Sequence, residues 1–207
     1  MLVLPAEADV DAVVAIDAAV AALRRGEVVA VPTDTVYGLA ADPRQPGAPE
    51  RLFAAKERPR TVELPVLVAD HEQALDLIVE PGDVARRCMQ RWWPGPLTLV
   101  LVRRPGLGYD LGDNHRTIGL RCPDHPVPRA IAAALGPIAT TSANRHGQPP
   151  LTTAQAVAAA LGGAVGLILD AGVCNGAPST VLDCTGPRPR LLREGALGFS
   201  TIVGALD

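Results

Sequence analysis

The sequence predicts an α/β fold in a single domain: a twisted, mixed, largely open β-sheet with helices packed on it. Two observations predict this. Short apolar runs of strand length alternate with longer amphipathic or Ala-rich stretches of helix length. The breaks between them carry most of the 20 Pro and 20 Gly, which build tight loops, where sites gather. A chain of 207 residues can bury a real core. Its 48% hydrophobic and 20% charged residues fit a globular domain rather than a disordered one. Without a solenoid-period repeat or a long linker, residues 1–207 read as one unit.

The elements follow in order. Val10, Val13, Val14, Ala18 and Leu23 fall mainly on one face of a helix from a capping Asp9 to about Arg25, with Gly26 as its stop. Val28 to Val31 is a short strand broken by Pro32, and Thr33 to Thr35 opens a turn ending in Tyr37-Gly38. A helix spans about Pro49 to Lys56, a strand Leu64 to Val68 and a short helix His71 to Val79. Asp83 to Trp92 is helical and ends at Pro94-Gly95-Pro96, where the chain enters a buried strand, Leu97 to Val102. A strand at Thr117 to Arg121 precedes an Ala-rich helix, Val127 to Leu135. Pro137 to Thr141 is a strand that runs into Ser142-Ala143-Asn144. A helix at Thr153 to Leu161, capped by Thr152 or Thr153, leads to strands at Val165 to Asp170, Val181 to Cys184 and Arg190 to Arg193.

A net charge of −3 argues against a strongly basic nucleic-acid coat and leaves room only for a local phosphate-binding patch. No apolar run reaches the roughly 18 residues that span a bilayer, and the N-terminus carries acids where a signal peptide carries bases, so the expected location is the cytoplasm, away from membranes. Cys88, Cys122, Cys174 and Cys184 lie far apart without a CxxC pair, which disfavours a disulfide framework or a metal cluster. His71, His115, His125 and His146 are scattered. The expectation is therefore no protein-borne metal site. Cys122 near His125 is a weak pair for nucleophile and base, and P-loop, GxGxxG, HExxH and GxSxG patterns are absent from the sequence. Trp92 and Trp93, beside Pro94, read as core plugs.

The polar residues that remain cluster at strand ends. Thr33, Asp34 and Thr35 follow one strand, and Lys56 and Arg58 bracket Glu57 near a helix end. Thr117 and Arg121 share a strand; Thr140, Thr141, Ser142 and Asn144 close another; Ser179, Thr180 and Arg193 flank the last ones. Ligands in α/β sheets bind outside strand ends, and several cations among hydroxyls suit a nucleoside triphosphate and a carboxylate. Lys56 is the single lysine among 19 basic residues. In an Arg-, Ala-, Pro- and Gly-rich chain, a lysine that persists points to a need for its compact ammonium.

These segments, in this order, resemble the YrdC-like family of L-threonylcarbamoyladenylate synthases. The resemblance rests on PTDTVYGL (Pro32 to Leu39), Lys56-Glu57-Arg58, WPGPLT (Trp93 to Thr98), TIGLRCPDHP (Thr117 to Pro126), TSANRHGQPP (Thr141 to Pro150), PSTVLDCT (Pro178 to Thr185) and REG (Arg193 to Gly195). It covers about residues 9–200 and matches the short, single-domain type. Two departures stand out: members commonly have Pro-Leu where this chain has Glu63-Leu64, and many carry a His at about Leu67.

The resemblance implies a nucleotidyltransferase that makes L-threonylcarbamoyladenylate, pyrophosphate and water from L-threonine, bicarbonate and ATP. This is the first step of N6-threonylcarbamoyladenosine modification of tRNA. It implies Lys56, Arg58, Ser142 and Asn144 as the catalytic KxR and SxN residues on the triphosphate, with Thr117 and Arg193 as further ATP contacts. Thr35, Arg121, Thr140 and Ser179 then form the threonine pocket. Magnesium would arrive on ATP oxygens, a tRNA threonylcarbamoyl-transfer complex would take the product, and weak direct RNA binding stays open. The alternatives are an RNA- or nucleotide-binding paralogue of the same fold without this activity, and a carbamoyl-transfer domain of a larger maturation protein. Net acidity and intact KxR and SxN residues weigh against the first. The lack of acylphosphatase and zinc-finger segments weighs against the second.

Overall fold

The computed structural model describes residues 1–7, 9–145, 147–174 and 176–206; the Asp9 side chain, read above as a helix cap, and His146 lie outside the described residues. The first half of the chain forms β1 (Leu2–Pro5), α1 (Asp9–Arg24), β2 (Val29–Val31), β3 (Gly38–Ala41), α2 (Ala48–Lys56), β4 (Val66–Leu67), α3 (His71–Leu75) and α4 (Asp83–Trp92). The second half forms β5 (Leu97–Val102), β6 (Thr117–Arg121), α5 (Pro126–Leu135), β7 (Ile138–Ser142), α6 (Ala154–Leu161), β8 (Leu167–Asp170), β9 (Thr180–Asp183), β10 (Arg190–Arg193) and α7 (Phe199–Gly204). The strands form one mixed, open sheet in the order β1-β8-β2-β3-β7-β4-β6-β5-β9-β10. Pairing is parallel at β1/β8, β2/β8, β4/β6 and β5/β9 and antiparallel elsewhere. No helix is long and apolar enough to cross a membrane among the described residues.

Period-two alternation divides the sheet into two faces. On one face, Leu39, Val66, Leu99 and Leu120 pack against Leu52 and Phe53 of α2, Cys88 and Met89 of α4 and Val157 of α6. On the other, Val29, Val31, Ile138 and Leu167 pack under α1 and α5. Those two helices cover only part of that face. Further along it, Thr140 of β7, Gly119 and Arg121 of β6 and Thr98 and Val100 of β5 stay bare of helix and floor a cleft.

Three elements lie beyond the sequence reading: β1, β3 and α7. The run Gly38–Ala41 is all Gly, Leu and Ala, residues of weak strand preference. It is a strand because β2 and β7 flank it on both sides. Residues Leu64 to Val68 shrink to the two-residue β4, although the Leu64 and Val68 amides still reach the Leu111 and Arg121 carbonyls. α3 stops at Leu75, and Ile78 instead bridges to Arg103. Trp93 fills the core as expected, its indole N–H donating to the Leu97 carbonyl at 2.7 Å.

Gly195, just after β10, lies against the Pro178–Ser179 backbone, its amide donating to Thr180 Oγ1 at 3.0 Å. A Cβ there would overlap the Pro178 carbonyl oxygen and stand 2.6 Å from the Ser179 carbonyl carbon. Gly195→Ala is expected to cost about 1–3 kcal/mol through forced backbone displacement. That lowers Tm by about 2–4 °C per kcal/mol in a domain of this size. A thermal melt checks this, and an unchanged Tm contradicts it.

Candidate active site

The cleft has a cavity volume of about 250 Å³ and opens to solvent. Loops and strand ends line it: the Thr33 to Gly38 turn, the Arg58 to Pro65 loop, the bare sheet face and the Pro178 to Arg193 return.

At one end lies the α2 terminus. Glu57 ends the helix in the left-handed region (φ 55), and its amide bonds back to the Ala54 and Phe53 carbonyls. This reversal turns Lys56 inward against β7 and sends Arg58 into the cleft. Lys56 is buried, and its Nζ donates to Ser142 Oγ (2.7 Å), the Ser142 carbonyl (2.8 Å) and Asn144 Oδ1 (2.8 Å). Ser142 Oγ donates to Asn144 Oδ1 at 2.6 Å, and the Asn144 amide donates to the Arg145 and Gln148 carbonyls. All three ammonium protons therefore have acceptors. Burial, with Arg58 and Arg193 nearby, pulls the Lys56 pKa down to about 8.

Arg58 is held by two carbonyls, Nε on Val62 and Nη2 on Glu63, both at 2.7 Å. Arg193 is held by the Ser179 carbonyl through Nε and Nη2. Among the described residues no carboxylate lies within ion-pair distance of Lys56, Arg58 or Arg193. Desolvation lowers the pKa of both arginines, helped by Arg193 in the case of Arg58 and by Arg121 in the case of Arg193. Three crowded positive charges without counter-ions among the described residues can attract an anion.

The other end is built around Arg121. Its Nε donates to the Gly95 carbonyl (3.0 Å), Nη1 to Thr35 Oγ1 (3.0 Å) and Nη2 to Asp34 Oδ1 (2.6 Å). Thr33 Oγ1 donates to the Val36 carbonyl at 2.6 Å, so the 2.9 Å contact between the two hydroxyls is donated by Thr35. The turn thus presents Thr35 Oγ1 to Arg121 as an acceptor. Burial lowers the Arg121 pKa, and Asp34 opposes the shift. Beside it Ser179 Oγ bonds Thr98 Oγ1 at 2.8 Å, and Thr140 reaches back to the Pro65 carbonyl.

Of the residues singled out in the sequence, Thr35, Arg58, Arg121, Thr140, Ser142, Ser179 and Arg193 line this one cleft. Lys56 and Asn144 stand behind Ser142, bonded to it. Thr117 lies on the Gly119 and Arg121 face of β6, one step beyond the lining, where Asn114 donates to its hydroxyl at 2.7 Å. Two carboxylates were not among the assigned site residues. Glu63 lines the cleft, and burial raises its pKa. Asp34 pairs with Arg121; its signal was an acid between two threonines at the end of a buried strand.

The Sua5/YciO/YrdC family model, described as telomere recombination, matches residues 21–195. A Mycobacterium tuberculosis protein, named as a candidate threonylcarbamoyl-AMP synthase, is 41% identical over 189 residues, covering 91% of this chain and 87% of that one. The Bacillus subtilis threonylcarbamoyl-AMP synthase is 42% identical over 182 residues and 86% of this chain, which spans only 53% of that protein's length. The crystal structure of Pyrococcus abyssi Sua5 complexed with L-threonine superposes with a TM-score of 0.88 at 34% identity, over 100% of this chain and 61% of that one. Matched in sequence from residue 21 to 195 and in fold along its whole length, the chain belongs to the Sua5/YciO/YrdC family.

Proposed function

We propose that this chain is an L-threonylcarbamoyladenylate synthase, joining L-threonine, bicarbonate and ATP with release of pyrophosphate as the first step of N6-threonylcarbamoyladenosine modification of tRNA. The observation that carries the reading is one cleft with two differently built cationic ends: Lys56, Arg58 and Arg193, without counter-ions among the described residues, and Arg121, neutralised by Asp34. The relatives named threonylcarbamoyl-AMP synthase and the threonine complex of the Pyrococcus protein support it.

In this reading the triphosphate lies across Arg58, Arg193 and the Lys56–Ser142–Asn144 cluster, with Thr117 toward the nucleoside. The amino acid sits against Arg121, Thr35, Thr140 and Ser179, its carboxylate on the guanidinium. The anionic carbamate formed on the threonine amine must approach an anionic α-phosphate. The residues' work is therefore charge neutralisation and alignment, and exclusion of water from the adenylate. Among the described residues no three His, Cys, Asp or Glu side chains gather as a metal cage, and the triphosphate end offers cations and hydroxyls. These fit a magnesium ion that arrives on ATP oxygens and water, where it supplies further charge neutralisation. The cytoplasm, where tRNA is modified, is the proposed location, with a tRNA threonylcarbamoyl-transfer complex as the recipient of the product.

Pyrophosphate release is expected only when threonine, bicarbonate and ATP are all present. An enzyme-coupled pyrophosphate assay with each omitted in turn checks it, and orthophosphate as the main product overturns it in favour of an ATPase or kinase.

Lys56→Arg is expected to lower turnover by about tenfold or more, about 1.4 kcal/mol in barrier. A planar fork cannot take three acceptors converging on one nitrogen. A rate within about twofold of the parent contradicts a role at the phosphates.

Lys56 also gives binding a pH signature. A bound polyanion favours the ammonium and raises its pKa above the free value of about 8. ATP binding near that pH then takes up roughly half a proton. The uptake fades toward about pH 6, where Lys56 is already charged, and disappears in Lys56→Arg. Calorimetry in buffers of different ionisation enthalpy reads it; proton release instead of uptake overturns it.

A further inference from the structure

We infer that Asp34 is a positioning residue for the amino-acid substrate: from behind the cleft wall it holds Arg121 so that one N–H on each terminal nitrogen stays free for the substrate carboxylate. The inference deepens the threonine-binding reading above and rests on it.

The argument is a donor count. A guanidinium has five N–H groups. Arg121 directs one from Nε to the Gly95 carbonyl, one from Nη1 to Thr35 Oγ1 and one from Nη2 to Asp34 Oδ1. The two that remain lie one on each Nη, the number a carboxylate takes in a bidentate pair. Arg121 lines the cleft and Asp34 does not, so the acid grips the guanidinium away from the ligand. The grip is dry, with side-chain exposures of 8% for Arg121 and 14% for Asp34, so solvent screening weakens it little. Gly95 is fixed in turn by its own amide on the Cys122 carbonyl, and Thr35 by Thr33. Asp34 is the one charged member of this frame, and among the described residues the cations at the triphosphate end have no such partner. Its negative charge also repels a substrate carboxylate. The frame predicts that orientation outweighs this repulsion, because the charge is cancelled locally by the cation it touches.

Two substitutions separate these effects. Asp34→Ala removes acceptor and charge; Asp34→Asn keeps an acceptor oxygen and removes the charge. KM for threonine and for ATP are measured in each, with calorimetric binding of L-threonine to the full chain. Positioning predicts a threonine KM raised about tenfold or more in Asp34→Ala and about threefold in Asp34→Asn, with the ATP KM within about twofold in both. If Asp34→Ala does not fold, because it leaves an unpaired buried cation, Asp34→Asn alone decides on the same threonine-against-ATP split. Tighter threonine binding in Asp34→Asn means that Asp34 only competes with the substrate and overturns the inference. Unchanged threonine affinity, or threonine and ATP shifting together, overturns it as well. In each of these cases the function stands as long as the parent chain binds threonine. A parent chain that binds no L-threonine overturns both.

Discussion

The architecture depends on holding four cations in, or just behind the wall of, one cleft that is only partly wet. Lys56, Arg58, Arg121 and Arg193 come from α2, the loop after it, β6 and β10, elements far apart in the chain. Taking cations out of water is costly, and the lowered pKa values of all four, each led by desolvation, register it; for Lys56, Arg58 and Arg193 a nearby arginine adds repulsion. A fold tolerates this only if every guanidinium and ammonium is tied by hydrogen bonds that do not depend on a ligand. Each is: Lys56 to the end of β7, Arg58 to its own loop, Arg193 to Ser179, and Arg121 to the turns at Asp34 and Gly95. Pro59, Pro65, Pro94, Gly95, Pro96 and Pro178 sit in the tight loops that supply these carbonyls.

Local backbone geometry makes those ties possible. The left-handed Glu57 reverses the chain between Lys56 and Arg58, so neighbours two apart serve one site from two directions. Gly95 accepts from Arg121, and a Cβ on it would press within 2.5 Å of the Trp92 carbonyl oxygen. Gly195 lets β10 return close enough for Arg193 to reach the Ser179 carbonyl. The motifs that carry the family resemblance, KER, WPGPLT and REG, therefore include residues, Glu57, Gly95 and Gly195, that shape the backbone around the cleft cations.

Much of the fold was legible because burial writes itself as period. Leu97 to Val102 and Asp83 to Trp92 occur where their patterns place them. β3 was not legible, since Gly38–Ala41 has no strand preference of its own and is extended only because two neighbours pair with it. β1 escaped for a related reason: four residues ending in proline form an edge strand on the strength of β8 alone. The site was legible as residue types at strand ends. Which of them form the wall, and which stand behind it, depends on side-chain direction across strands that are not neighbours in sequence. Hence Lys56 and Asn144 prove to be tied behind Ser142, and Asp34 emerges as a partner only once β6 lies beside the Thr33 to Val36 turn.

The two ends of the cleft orient their arginines by different means, and the difference matches the anions proposed for them. Carbonyl oxygens aim Arg58 and Arg193. A neutral dipole orients a cation without cancelling it, so the full charge remains available to a polyanion whose own charge is large. A carboxylate aims Arg121. The ion pair is close to neutral at a distance, and what it offers is direction: two N–H groups fixed in space, suited to a small planar carboxylate. Were the means exchanged, the triphosphate end would lose the field that gathers its ligand. The amino-acid end would gain a bare buried cation that attracts any anion, phosphate included. Keeping phosphate out of the amino-acid half is a problem for any enzyme that takes both ligands into one cleft. Among the described residues an acid pairs with Arg121 and none pairs with Lys56, Arg58 or Arg193, so the two ends differ in charge as well as in geometry.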